Sequence, residues 1–496
     1  MSDNITTGLR LAAYVKGEPI RRLEYLPTVV ASVDDRFVAA FVRMGGESSP
    51  WGIAWRAGGG NTTIRWVGEA RNRTLVADLV ADFGSALLDH FFNKPHPQLW
   101  LPGSTHVDML HFLALRYTFT KWGEESRSAK LRQIGALCGH LFESINNPLL
   151  CTAINATDVL RRIWVLPCEP TRENHLGFVT EWLSAGSPTE RKQRAQQAEL
   201  RSTSTSLDPE LERSIARIFA NRAPSSALDP LHSDVGKYLE NELERRITLL
   251  DVAIELSLSF GKSNPASSEL VSKSTESLSK FKSERLDPSS GKIIEAKYAR
   301  SPETDHNPID AARAFLELQR DIGEAQSGLE THDRLLHREL LISGEAAEGT
   351  IRSVDSVTIK LRTKRFHFEL ECEHTFNLRM RTGDKARLVV HGHDPIDVRI
   401  ESITSDAGRP CRLGIQTLFA SDQVPKRGAQ AILLPSSSHG ATGRYISNIT
   451  ELKKKAQPTN VPGRWILDRL LDGGPVVPTS DNDQFDGTNV EVDPDA

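Results

Sequence analysis

Thr358-Ile359-Lys360-Leu361-Arg362, followed by Phe366-His367-Phe368-Glu369-Leu370-Glu371-Cys372, is the stretch of this 496-residue chain whose reading decides its organisation. Both runs alternate apolar and polar residues, and a period of two means strands with one face buried. A turn at Lys364-Arg365 would set Leu361 opposite Phe368 and Ile359 opposite Leu370, with Lys360 facing Glu369 on the other side. Such cross-strand pairs contribute about 0.2–1 kcal/mol each, so this hairpin register is expected.

Working outward, further strands are expected at Phe376 to Met380, Ala386 to Val390, Ile396 to Ile403 and Cys411 to Leu418. Thr382-Gly383-Asp384, Gly392-His393-Asp394-Pro395 and Asp406-Ala407-Gly408-Arg409-Pro410 punctuate them as turns. Short strands at regular spacing with such turns predict closure into a small β-barrel, OB-like or SH3-like, over residues 345–420.

Before the barrel, Asn307-Pro308-Ile309-Asp310 has the form of a helix start, with a capping Asn and proline at the first helical position. Phe315, Ile322, Leu329 and Leu336 recur every seven residues, with Leu318 and Ala325 between, which predicts a long helix over 308–344 carrying a heptad seam. Val235, Leu239, Leu243, Ile247, Leu250 and Ile254 mark another helix, starting near Ser233, within the segment 207–260. The two are expected to pair antiparallel as a coiled-coil-like arm. The intervening segment 261–307, rich in Ser, Lys and Glu, reads as a flexible insertion in which Leu270, Leu278 and Phe281 would share one side of a short helix.

Seven of the eight tryptophans lie before Ala185, which marks residues 1–185 as a domain with its own core. Strands are expected at Pro27 to Ser32, Arg36 to Arg43, Trp51 to Ala57 and Thr62 to Val67, the last two joined through Gly58-Gly59-Gly60-Asn61. Helices follow at Thr74 to Phe92, Thr105 to Thr118, Ser128 to Ser144, Ala153 to Ile163 and Arg172 to Leu183, so the domain reads as α+β, strands first and helices after. Residues 186–206 form a polar linker or solvated helix, and a helix is expected over Leu207 to Asn221. Residues 421–474 are loop-rich with helices at Ile446 to Lys455 and Trp465 to Leu471, and 475–496 read as an acidic, disordered tail.

Net charge is -4 with 25% charged residues, so no global field steers this molecule to a polyanion. Any such contact is local. Five cysteines, odd in number and set in apolar sequence, point to buried thiols in a reducing, cytoplasmic setting, and no apolar run approaches the roughly 18 residues of a membrane span.

No catalytic signature stands out. Gly261-Lys262-Ser263 lacks the upstream glycine of a phosphate loop, since Leu256 stands there, and no cofactor is expected. His391-Gly392-His393-Asp394 follows an apolar strand, and His391, His393 and Asp394 are candidate metal ligands. The string resembles the last histidine motif of calcineurin-like phosphoesterases, but the Asp-x-His and Gly-Asn-His motifs of that family are absent; a strand-ending turn explains it equally well. His90, His96, His106, Asp108 and His111 gather along one helix–loop–helix stretch and mark where a hydrolase or nuclease site would lie.

On the barrel, Arg352, Lys360, Arg362, Lys364, Arg379, Arg381 and Arg387, together with Arg399, form a basic set suited to a nucleic-acid backbone. Residues 348–419 hold twelve Lys and Arg against ten Asp and Glu, so cross-strand pairing with Glu369, Glu371 and Glu373 absorbs much of that charge. The function expected is therefore a non-catalytic interaction or adaptor component with protein partners, nucleic-acid associated through the barrel and without a membrane role. The alternative is a hydrolase or nuclease in the N-terminal domain.

Overall fold

The computed structural model describes residues 3–43, 49–68, 72–120, 125–207, 229–287, 292–293, 308–360, 363–372, 378–391, 393–404, 410–418 and 424–435. The helices expected at Leu207 to Asn221, Ile446 to Lys455 and Trp465 to Leu471, and the acidic tail, lie outside them apart from Leu207. Among the described residues the chain is mixed α/β, with eleven α-helices and a closed six-stranded antiparallel barrel toward its C-terminal end.

Beside a short antiparallel pair of β1 (Ile20–Arg21) and β7 (Trp164–Val165), the N-terminal unit is built on a five-stranded sheet of β2 (Arg36–Arg43), β3 (Pro50–Ala57), β4 (Thr63–Trp66), β5 (Gln98–Leu101) and β6 (Ala153–Asn155), in the spatial order β4-β3-β2-β5-β6. β2, β3 and β4 form an antiparallel meander, whereas β5 and β6 run parallel to β2. The domain is therefore not strands first and helices after, because two short parallel strands return between the helices. Pro27 to Ser32, expected as a strand, is not one.

Side chains along β2 and β3 sort by size onto the two faces. Phe37, Phe41 and Trp55 meet Phe83 of helix Arg73–Asn93 edge-on, with ring centroids 6.1, 5.5 and 5.8 Å away. Small residues face the other way: Ala40 opposes Ala54 and Val42 opposes Gly52. That leaves room for a long helix, Asp229–Phe260, whose Leu243 comes so near that a Cβ on Gly52 would lie 2.9 Å from it. Val235, Leu239, Leu243, Ile247, Leu250 and Ile254 are all buried. The periodicity of that helix is as expected, but it packs on the sheet and on helices Ala156–Ile163 and Leu176–Leu183 instead of forming an arm.

The segment 261–307 likewise contributes to this core. Helix Ser267–Arg285 buries Leu270, Leu278 and Phe281, with Phe281 stacked on His140 at 4.5 Å. The polar linker holds a helix, Pro188–Glu199, opened by a capping box of Ser187 and Glu190.

The long helix expected over 308–344 is divided at Asp333 into Pro308–His332 and Arg334–Ser343. Asp333 is fully buried, and its Oδ1 accepts from the backbone N–H groups of Leu335 and Leu336 as an N-cap. Leu329 and Leu336 are buried against Leu23, while Ile322 is 43% exposed and Phe315 has no described side chain. The sevenfold spacing thus spans two helices with different neighbours and does not form a continuous seam.

Past the short antiparallel pair β8 (Leu286–Asp287) and β9 (Lys292–Ile293), the barrel comprises β10 (Ala347–Lys360), β11 (Thr363–Cys372), β12 (Lys385–Val390), β13 (Ile396–Thr404), β14 (Cys411–Thr417) and β15 (Gln430–Pro435), closing in the order β10-β11-β14-β13-β12-β15. β15 lies past residue 420 and closes the ring by pairing with both β10 and β12. The described residues of Phe376 to Met380 are not a strand.

The first hairpin also differs from expectation. Phe368 faces Val354, Leu370 faces Ile351, Glu369 faces Ser353 and Lys360 faces Thr363, so Lys364 and Arg365 lie within the paired strand rather than in a turn. The start of β10 must pair with β15 while the rest pairs with β11, and bulges between Ile351 and Ser353 and between Thr358 and Lys360 accommodate this. Inside lie Ile351, Phe368, Leu370, Leu388, Val398, Ile400, Leu413, Ile415 and Leu433.

Candidate functional site

In a closed barrel the outward side chains of neighbouring strands line up in transverse rows, because pairing is residue to residue and the pleat repeats every two. One row crosses five strands: Lys385 on β12 faces Arg399 on β13, Arg399 faces Gln416 on β14, Gln416 faces His367 on β11, and His367 faces Asp355 on β10. At roughly 4.8 Å per strand the row extends about 19 Å. Gln416 Nε2 and His367 Nε2 lie 2.7 Å apart, which ties the middle of the row together.

Lys385 and Arg399 are both exposed, and directly opposed positions put their Cβ atoms about 5 Å apart. Like charges so placed repel. Among the described residues neither has a carboxylate within ion-pair distance, in contrast to Arg352, Arg379, Arg387 and Arg412. Arg381 joins them: its backbone N–H donates to Asp384 Oδ2 at 2.7 Å, and the same loop bonds β13 through Gly383 N–H to Ile400 O at 2.7 Å and Asp384 O to Ile400 N–H at 2.9 Å. The Arg381 loop is thereby fixed beside Arg399.

The other basic residues read from the sequence divide into two groups. Arg352 is paired with Glu371, Arg379 with Glu345 at 3.7 Å and Arg387 with Asp397 at 3.7 Å. Surface pairs of this kind add little to stability but offset each cation with a neighbouring carboxylate. Arg362 lies outside the described residues, as do the side chains of Lys360 and Lys364. Lys385 stands between the turn expected at Thr382-Gly383-Asp384 and the strand expected from Ala386, and only its register against Arg399 brings it into the basic set.

His391 and Asp394 are exposed and His393 is half-buried in the turn after β12, where His393 N–H bonds Val390 O at 3.1 Å. Among the described residues no three His, Cys, Asp or Glu side chains converge as a metal site.

The histidines of the N-terminal unit do not converge either. His90 is buried, bonding Asp35 O through Nε2 at 2.8 Å, and burial lowers its pKa. His106, fully buried, stands at the opposite end of β2. Beyond Val38 the β2–β5 pairing stops, and the freed backbone of Phe41 is met by side chains: its N–H donates to His106 Nδ1 at 3.1 Å, and its carbonyl accepts from Arg246 Nη1 at 2.6 Å. His106 Nε2 then donates to Thr203 O at 3.1 Å.

Burial first, and the Arg246 charge second, push the His106 pKa down to about 3, so the ring is neutral with its proton on Nε2. Burial opposes ionisation of Glu242, but hydrogen bonds and charge from Arg245 and Arg246 prevail and hold it below its ordinary value. Segment 202–207 fills this strand-end crevice, with Thr205 O accepting from Arg43 N–H at 2.8 Å. Crevices at strand carboxyl ends are the usual ligand sites of such sheets, and here the chain itself occupies it. His111 stacks on Phe142 at 4.4 Å, Asp108 is exposed, and His96 lines a separate cleft.

Among the described residues no helix is long and apolar enough to cross a membrane. Comparison with known proteins found no family model matching this chain and no match among curated proteins.

Proposed function

We propose that this protein is a non-catalytic interaction component that holds a nucleic-acid backbone against the outside of its C-terminal barrel, an OB-like or SH3-like scaffold, with the N-terminal α/β unit as the body that engages protein partners. The observation carrying this reading is the face-to-face placement of Lys385 and Arg399 without a carboxylate partner among the described residues, next to the exposed Arg381. Two cations held together at a cost are stabilised by an anion, and phosphate backbones recruit Lys and Arg in such sets. Gln416 and His367 extend the row with neutral hydrogen-bonding groups able to meet phosphate or sugar oxygens. Aromatic rings add little: Phe368 is buried and Phe366 half-buried against the core, so contact by charge rather than by base stacking is expected. Five buried, unpaired thiols favour a reducing, cytoplasmic setting.

Fluorescence anisotropy with a random-sequence oligonucleotide at low salt tests the reading. The Lys385→Glu, Arg381→Glu double variant is expected to lose at least tenfold in affinity, while Arg352→Ala, which removes a cation already paired, changes little. Absence of binding by the unaltered protein, or equal losses in both variants, rejects it.

A further inference from the structure

The loop before β2, the loop before β5 and helix Ser267–Arg285 enclose a cleft of about 210 Å³ at the amino-terminal edge of the sheet. It belongs to neither the barrel row nor the filled crevice around His106. Its walls are apolar, formed by Val29, Ala31, Pro95, Pro97, Val271 and Leu278.

Most polar groups at its edge are committed elsewhere. The Gln98 amide oxygen accepts from Ala31 N–H at 3.0 Å and Trp100 Nε1 at 2.7 Å, while its nitrogen donates to the Val29 and Cys151 carbonyls. Ser274 Oγ accepts from Cys151 N–H at 2.8 Å, and Thr275 Oγ1 donates to Val271 O at 2.8 Å. Two groups retain capacity. Asp35 receives the Ser32 hydroxyl at one carboxylate oxygen, Oδ2, at 2.7 Å, which leaves Oδ1 as an acceptor. His96, an exposed residue, contacts Thr275 through Nδ1 at 3.3 Å, which leaves Nε2 as its second polar atom. The backbone beneath Asp35 is fixed by His90 Nε2 on its carbonyl at 2.8 Å, so the carboxylate is held at the mouth.

We infer that this cleft is a binding site for a small organic monocation, an amine carried on one aromatic or branched aliphatic group. Volume sets the size: a dry cavity of about 150 Å³ admits benzene, so this one takes a single ring with a short substituent. Apolar walls receive the ring, as in pockets where a few placed polar groups fix orientation. The remaining Asp35 oxygen selects the charge, since an anionic acceptor strengthens the hydrogen bond from an ammonium group.

Calorimetric titration of the full chain with benzylamine and its neutral counterpart benzyl alcohol tests the assignment. Benzylamine is expected to bind at least tenfold more tightly, Asp35→Asn to bring the two to parity, and Val271→Trp, which fills the cleft, to abolish both. Should Val271→Trp fail to fold, the unaltered protein and Asp35→Asn decide alone, since Asp35 lies on the half-exposed rim. Equal affinity for the two probes, no binding of either, or a preference that survives Asp35→Asn overturns the inference.

Discussion

Lys385 and Arg399 stand directly opposite each other on adjacent antiparallel strands of the barrel, both exposed and neither joined to a carboxylate among the described residues. A fold selected for stability alone gains by placing an acid at one of the two positions. Arg399→Glu is therefore expected to raise stability by about 0.2–1 kcal/mol through a new cross-strand pair with Lys385, while weakening nucleic-acid binding. Urea midpoints and anisotropy on the same preparation check both halves. A variant that is less stable, or that binds as before, contradicts the role given to the pair.

Asp333 joins the two units of the chain. Its Oδ1 caps the helix that leads into the barrel, and its Oδ2 accepts from Glu24 and Tyr25 N–H at 2.7 and 3.2 Å. Arg22 and Glu339 bridge the same boundary at 3.1 Å. Asp333→Ala removes a cap worth about 0.5–2 kcal/mol and leaves further buried donors unmet at about 1–3 kcal/mol. The expected signature is a lowered denaturation midpoint together with faster proteolysis near residues 22–25. An unchanged cleavage pattern would mean that Asp333 serves only as a cap.

His106 gives a pH prediction with a definite sign. Its pKa falls from the ordinary 6.5 in the unfolded chain to about 3 in the fold, so the unfolded state binds the extra proton. The neutral ring's contribution is complete above about pH 6.5 and is lost as pH falls toward 3. His90, His175 and His337 are also lowered by burial and act in the same direction. His106→Gln is expected to flatten the fall in stability between these limits by about one proton's worth of slope, measured from urea unfolding at successive pH values. A variant whose pH dependence parallels that of the unaltered protein rules out this role.

What the sequence could and could not convey follows from these particulars. A period of 3.6 over Val235 to Ile254 identifies a buried face but not what covers it, and the sheet competes with a helix as cover; small residues at Ala40, Gly52 and Ala54 were the available sign. The sevenfold recurrence from Phe315 to Leu336 concealed the break at Asp333, although Asp ahead of Arg334-Leu335 is itself a capping signal. Leu99 to Leu101 and Ala431 to Leu434 are short apolar runs buried on both faces, which have no alternation to betray them as strands. For the candidate site, Arg381 and Arg399 are legible singly, whereas Lys385 emerges only from its register against Arg399. Which were neutralised depended on register, and bulges that no residue pattern announces set that register.

Salt dependence tests the central claim most directly. Binding of a random-sequence duplex is measured between low and moderate salt for the unaltered protein and for Lys385→Ala, Arg399→Ala. If both cations contact phosphates, the slope of log K against log salt becomes shallower by about 1.8 in the double variant, from roughly 0.9 per phosphate contact. A slope that does not change, or a protein that binds no nucleic acid at low salt, contradicts the account.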